Sequence, residues 1–277
     1  SMYKVRMTNA RLLKLIGSSG TQADRTITLV PGWNWIAYNN TQTASVADAL
    51  AGMDPQDGDM IKGQYGFALF DGYEWTGSLK ALVPGQGYML QSASAGTRTF
   101  TYPASLVPYA PQRAAARPLL NFSPIDHHKY PSNMTITARV TFNDEVQQGA
   151  EVGVFAGDEC RTAEVTDADG YAYFTVPGEG KCNLRFLMVK NGDVWLAEAT
   201  VDFIEDAICG SYKQPLELTF GKITYVDGIA VDADNNTRWF DVHGWMLNGK
   251  PTAPGVYVRS TYDTSTGLTT TRKVVVR

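Results

Sequence analysis

The chain of 277 residues carries 24 Lys and Arg against 28 Asp and Glu, a net charge of −4, with 44% hydrophobic and 19% charged residues. That balance is globular, with enough chain for two or three domains. The basic residues are scattered and leave no electrostatic footprint for nucleic acid. No run approaches the ~18–20 apolar residues that a transmembrane helix requires.

The opening stretch SMYKVRMTNARLLKLIG lacks a clear apolar core and a small-residue cleavage site, so it does not read as a signal peptide. Ser1-Met2 reads as a cloning scar, and the chain as the C-terminal portion of a longer polypeptide. Strand and turn then dominate. TITLVPGWNWIAY (26–38) alternates, with Trp33, Trp35 and Ala37 on one face and Asn34, Ile36 and Tyr38 on the other. One helix is predicted over 45–53, SVADALAGM, capped by Ser45 with Asp48 three residues on and ended by Gly52. Further strands are predicted within 59–72, 74–79, 85–93 and 97–103, reversed by DPQDGD and VPGQGY.

Two tryptophans at i and i+2 stand about 6.5–7 Å apart on a strand face, a reach that suits stacking on successive sugar rings. A small β-domain also needs such volume inside, since an aromatic side chain buries about 150–250 Å². The reading taken here is core packing, with Trp33 and Trp35 mostly buried and a ligand platform as the alternative. Should a platform exist, Tyr73 and Trp75 in DGYEWTG, beside a turn with polar neighbours, are the better candidates. Stacking of that kind implies only weak affinity for simple oligosaccharides.

Three prolines and no alternation mark LVPYAPQRAAARP (106–118) as a linker. It separates a β-rich module (1–105) from a β-sandwich domain (119–222) of seven or so short strands, and a small β element follows (223–277). The fold class is therefore all-β: two β-sandwich or barrel-like domains, the second immunoglobulin-like, plus a small antiparallel C-terminal element, with one short helix near 45–53.

Chemistry is sparse. Among three cysteines, Cys160, Cys182 and Cys209, at least one is unpaired or intermolecular. Buried free thiols, a Cys160–Cys182 bridge and a Cys182–Cys209 bridge all remain open. Asp167, Asp169 and Gly170 mimic part of an EF-hand, and Asp232 and Asp234 lie in a similar stretch. The twelfth loop position counted from Asp167 is Gly178, where a bidentate Glu is needed, and the flanks read as strands. Turn chemistry is the favoured reading over a weak calcium site. His127 and His128 are adjacent and His243 is distant, which suits a surface loop better than a metal site. Neither a nucleophile elbow, a Walker loop nor a zinc-protease motif occurs. The pairs Asp158-Glu159 and Glu205-Asp206 lie beside turns. The chain is read as non-enzymatic, without a cofactor.

Three sets of residues carry a resemblance. Gly32-Trp33-Asn34-Trp35-Ile36, Gly58-Asp59 with Ile61-Lys62, and Pro84-Gly85 with Gly87-Tyr88-Met89-Leu90 resemble a module found near the C-termini of large secreted Bacteroidetes proteins. AEVGVFAGDECR, DGYAYFTVPGEG and DAICGSYKQPLELTF resemble an accessory domain of such proteins. In the tail, Asp241 and Gly244 at one turn, Pro254-Gly255 at another, Tyr257, and Lys273 in a terminal KVVV resemble the C-terminal sorting domain of the type IX secretion system. Gly244 and Gly255 are expected to supply positive φ. The resemblance implies a secreted or outer-surface location, an accessory or adhesion role, and partners among secretion or outer-membrane machinery, upstream domains of the same polypeptide, and glycans or a host surface. An accessory carbohydrate-binding region of an upstream glycoside hydrolase or protease is the alternative.

Overall fold

The computed structural model describes residues 26–109 and 119–226 and, beyond them, 229–232, 237–240, 246–247, 251, 253–263 and 268–276. Residues 110–118 of the expected linker, and the N-terminal stretch, lie outside the described residues. The structure is mostly strand (51%) with only 5% helix, so the protein is all-β. The chain divides into two compact units, one of residues 1–116 with Ser211–Gln214, the other of 117–210 with 215–277.

In the first unit the chain forms β1 (Thr26–Leu29), β2 (Gly32–Ala37), β3 (Ala44–Ser45), helix α1 (Val46–Leu50), β4 (Met60–Lys62), β5 (Phe67–Phe70), β6 (Trp75–Gly77), β7 (Ala81–Leu82), β8 (Gly87–Ser92) and β9 (Arg98–Thr101). One sheet runs β2-β8-β4-β5-β6, all antiparallel, with β1-β9 and β3-β7 as separate ribbons. Ile36, Ile61, Ala68, Tyr88 and Leu90 form the inner face of the sheet. They pack with Leu29 and Phe100 of the β1-β9 ribbon, with Val46, Ala49 and Leu50 of α1, and with Tyr38 and Tyr102.

The helix is shorter than expected. Ser45 does cap it: its hydroxyl accepts from the Asp48 amide at 3.0 Å and donates to Asp48 Oδ2 at 2.7 Å. After Leu50, however, the chain tightens into a 3₁₀ turn over Ala51–Met53 and stops at Asp54, whose φ is 53°. Gly52 has a different role from the expected terminator, because a Cβ there would lie 3.0 Å from the Thr101 carbonyl. It lets the turn approach β9.

The expectation that Trp33 and Trp35 are mostly buried is corrected for Trp35 and holds for Trp33. Ile36 and Tyr38 enter the core, at 3% and 0% exposure, so the alternation of β2 turns both tryptophans to the opposite face. Trp35 is 51% exposed and Trp33 much less so. Asn34, on the core side, reverses the polarity signal because the turn before it satisfies its amide. Its Oδ1 accepts from the Val30 amide, and its Nδ2 donates to the carbonyls of Val30 and Gly32. A satisfied amide can sit inward where a solvated one would not.

The second unit contains β10 (Ser132–Phe142), β11 (Glu145–Val146), β12 (Glu151–Ala156), β13 (Glu159–Val165), β14 (Tyr171–Gly178), β15 (Asn183–Lys190), β16 (Asp193–Asp202), β17 (Ile208–Cys209) and β18 (Leu216–Phe220). β10 pairs antiparallel with β14 and β11 along one edge, and parallel with β17 and β18 along the other. A second sheet begins β13-β12-β15-β16. Between the two lies one core, built from Ile136, Val140, Val154, Phe174, Phe186 and Trp195 among others, so this part is a β-sandwich. Phe142 meets Trp195 edge-on, ring centroids 5.0 Å apart.

The tail then supplies β19 (Ile223–Val226), β20 (Ile229–Asp232), β21 (Thr237–Phe240), β22 (Met246–Leu247), β23 (Gly255–Asp263) and β24 (Leu268–Val276). β19 pairs with β16, and β20 with β19, so residues 223–232 extend the second sheet of the sandwich. The four-stranded sheet β22-β21-β23-β24 begins only at Thr237.

Candidate functional site

The Tyr73–Trp75 hairpin is organised by Asp71. Its Oδ1 accepts from the amides of Tyr73 and Glu74, both at 2.9 Å, and its own amide donates to the Glu74 carbonyl at 3.1 Å. Burial pushes the Asp71 carboxyl up, but the Glu74 and Tyr73 hydrogen bonds outweigh it and leave it below its ordinary value. Tyr73 stands at the tip, 90% exposed. Trp75 is half-buried, packs against the core cluster and lies 5.4 Å from the Phe70 ring. One ring is therefore in solvent and the other serves the core.

A second aromatic pair lies on β2. Trp33 and Trp35 face the same way, opposite Gln91 and Met89 of β8, which in turn oppose Met60 and Lys62 of β4. Lys62 is 2% exposed, and its Nζ sits 4.9 Å from the Trp33 ring centroid. An ammonium at that distance is attracted to the indole face and fixes the ring. Neither β2 nor β8 carries a lysine or arginine.

Several carboxylates are committed to backbone amides or to neighbouring side chains. Asp59, 0% exposed, accepts from the amides of Gln56 and Ala93 at 2.7 and 2.8 Å and pairs with Arg98 at 2.5 Å. Arg98 also donates to the Asp54 carbonyl. Glu151, 7% exposed, accepts from the amides of Leu120, Asn121 and Phe122 and from the Asn121 side chain. Burial raises the Glu151 carboxyl, yet these donors prevail and hold it below the usual carboxylate range. Phe122, brought in by this clasp, sits over Gly153, where a Cβ would lie 3.0 Å from its ring. Glu159 gathers Tyr130, Lys129 and Arg161, and the Arg161 guanidinium lies 3.9 Å from the Tyr130 ring centroid. Asp167 Oδ1 accepts from the amides of Asp169 and Tyr171 at 3.0 and 2.8 Å, the geometry of an Asx turn.

His127 and His128 fall in a 3₁₀ turn capped by Asp126, which accepts from the His128 amide and contacts its Nδ1 at 2.8 Å. His243, Asp234 and the side chain of Asp232 lie outside the described residues. Among the described residues, no three His, Cys, Asp or Glu gather closely enough to hold a metal ion, and no helix is long and apolar enough to cross a membrane. All three cysteines are free thiols, not bridged. Burial, with a smaller contribution from Glu151, pushes the Cys160 thiol up to about 12.

Of the sorting-like residues, Asp241 and Gly244 lie outside the described residues, as does the side chain of Lys273. Gly255 opens β23 opposite Val276, and Tyr257 pairs with Val274 and Lys273 with Val258 in a hairpin of two nine-residue strands. Gly255 does not supply the positive φ expected of it. The Tyr257 ring folds back over it, 3.1–3.2 Å from where a Cβ would stand, and the Tyr257 hydroxyl donates to the Ala253 carbonyl at 3.1 Å.

Sequence reasoning did not foresee the hydrogen-bonding roles of Asp59 and Glu151, nor the exposure of Trp35. Buried carboxylates find partners 29 to 39 residues away, which spacing does not reveal. Searches of protein families, curated proteins and solved structures find nothing that matches the chain.

Proposed function

We propose that the chain is a non-catalytic accessory or adhesion region of a secreted or surface-attached bacterial protein, ending in a sorting-like β element. The observation that carries this reading is the use of its carboxylates: Asp59, Asp71, Glu151 and Asp167 each grip backbone amides and build scaffold. A general acid or base must instead reach a substrate proton. The tail adds support, since its long β23–β24 hairpin carries Gly255, Tyr257 and Lys273 on a sheet of its own. The resemblance to immunoglobulin-like accessory domains and to type IX sorting domains of Bacteroidetes supplies the cellular context.

Deleting Lys273–Arg277 removes half of the edge strand and leaves the backbone of its partner unpaired. In a host with the type IX machinery, the parent protein should then remain folded but stay in the periplasm. Cell fractionation and protease shaving of intact cells read this directly. Normal surface display of the truncated protein would refute the sorting role.

A second reading, a carbohydrate-binding accessory region beside an upstream hydrolase, is favoured by the 51% exposure of Trp35.

A further inference from the structure

We infer that the outward face of β2, with Trp33 and Trp35, stacks on the pyranose rings of a polysaccharide. This rests on the carbohydrate-binding accessory reading and moves its ligand site away from the Tyr73–Trp75 hairpin. β2 is the outermost strand of its sheet. Its two tryptophans stand two residues apart, which spaces their Cα atoms about 6.5–7 Å apart along one face. Trp35 is open to solvent, and Trp33 is held in place by the shielded Lys62 ammonium.

Size selects the kind of occupant. A half-exposed indole offers about 100 Å² of the 150–250 Å² that such a side chain can bury. A stable protein interface needs about 800 Å² from each partner. Even with the half-exposed Val30 in the preceding turn, this surface falls several-fold short, so it fits a flat ring and not a second copy of the chain. Charge narrows the choice. A nucleotide would call for a cation beside the stack, whereas β2 and β8 carry none and Lys62 is 2% exposed.

A pyranose presents a C–H face to the indole and hydroxyls at its rim. Directly across from Trp33, the Gln91 side-chain oxygen is shielded from solvent and has no hydrogen-bond partner. Turning that amide outward would offer a rim hydroxyl its acceptor and relieve the unmet group.

The test is affinity gel electrophoresis of the full chain through hydroxyethylcellulose, xylan, galactomannan and laminarin, with tryptophan-emission titration of whichever retards it. At least one polysaccharide should retard the protein with high-micromolar to millimolar strength. Trp35→Ala should weaken that binding at least tenfold, Trp35→Phe should retain part of it, and Tyr73→Ala should leave it unchanged. Circular dichroism verifies the fold of each variant, and Trp35→Phe decides the matter if Trp35→Ala unfolds. No retardation by any of the four, full retardation of Trp35→Ala, loss with Tyr73→Ala, or a dimer in sedimentation that Trp35→Ala dissolves would each overturn the inference. The Lys273–Arg277 deletion should not alter glycan binding, so failure of sorting and failure of this site are read separately.

Discussion

Strands β2 and β10 both alternate, yet they use their two faces differently. β10 buries Ile136 and Val140 in the sandwich core, and on its other face Thr135 and Thr137 are 1% and 2% exposed. β2 buries Ile36 on one side and leaves Trp35 half in solvent on the other. The difference follows from position. β10 is flanked on both edges and is central to its sheet, whereas β2 is outermost. A central strand spends both faces on packing; an outermost one can keep a face for recognition.

Each unit also has one clasp, and breaking these gives the largest expected effect. Asp59→Ala leaves Arg98 and two amides without their acceptor and should cost about 3–5 kcal/mol. Glu151→Ala, whose donors lie nearer the surface, should cost less, about 2 kcal/mol. Urea denaturation of the full chain, followed by probes in each unit, measures both. Equal costs would mean that the two clasps are buried alike.

The β2 contrast is tested by Ile36→Ala, which opens a cavity in the core and should cost about 2–4 kcal/mol.

The pH response separates two glutamates of the sandwich. Glu164 lies opposite Val152, on its core-facing side, and burial raises its carboxyl to about 7 from 4.5. The unfolded chain ionises it first, so its contribution to stability is greatest below about pH 4.5 and falls as pH rises toward 7, by about 2 kcal/mol after allowance for partial exposure. Glu151 acts in the opposite sense: its lowered carboxyl contributes stability above its unfolded value, which is lost as pH falls through the folded one. Glu164→Gln should flatten the decline between pH 4.5 and 7 and leave the acid limb intact. A decline unchanged in Glu164→Gln would assign it to another group. Smallest of all, Trp35→Ala should shift stability by under about 1 kcal/mol.

Much of the architecture was legible from sequence because it is written locally. Ser45 and Asp48 stand where a cap demands them, Asp167 where an Asx turn does, and the alternation of 134–142 marks a strand. What was not legible depends on partners remote in sequence. Alternation in GWNWI establishes two faces without saying which is inward, and the turn at Val30 and Gly32 satisfies the Asn34 amide so that it can sit on the core side. Likewise, residues 223–232 read as the start of the tail, and only their pairing with β16 attaches them to the sandwich. Gly255 looked like a turn glycine, whereas the Tyr257 ring over it is what excludes a side chain. Tyr73 was legible as an exposed turn residue, and it is 90% exposed, but alternation alone did not show that Trp35 is half in solvent as well.

The outward set of β2 is the central claim, and acrylamide quenching of Trp35→Phe against the unaltered chain tests it most directly. Trp195 and Trp239 are shielded, at 1% and 8% exposure, whereas Trp35 is half open. The variant should lose a readily quenched part of the emission. A Stern–Volmer slope unchanged by the substitution would place Trp35 in the core and contradict the account.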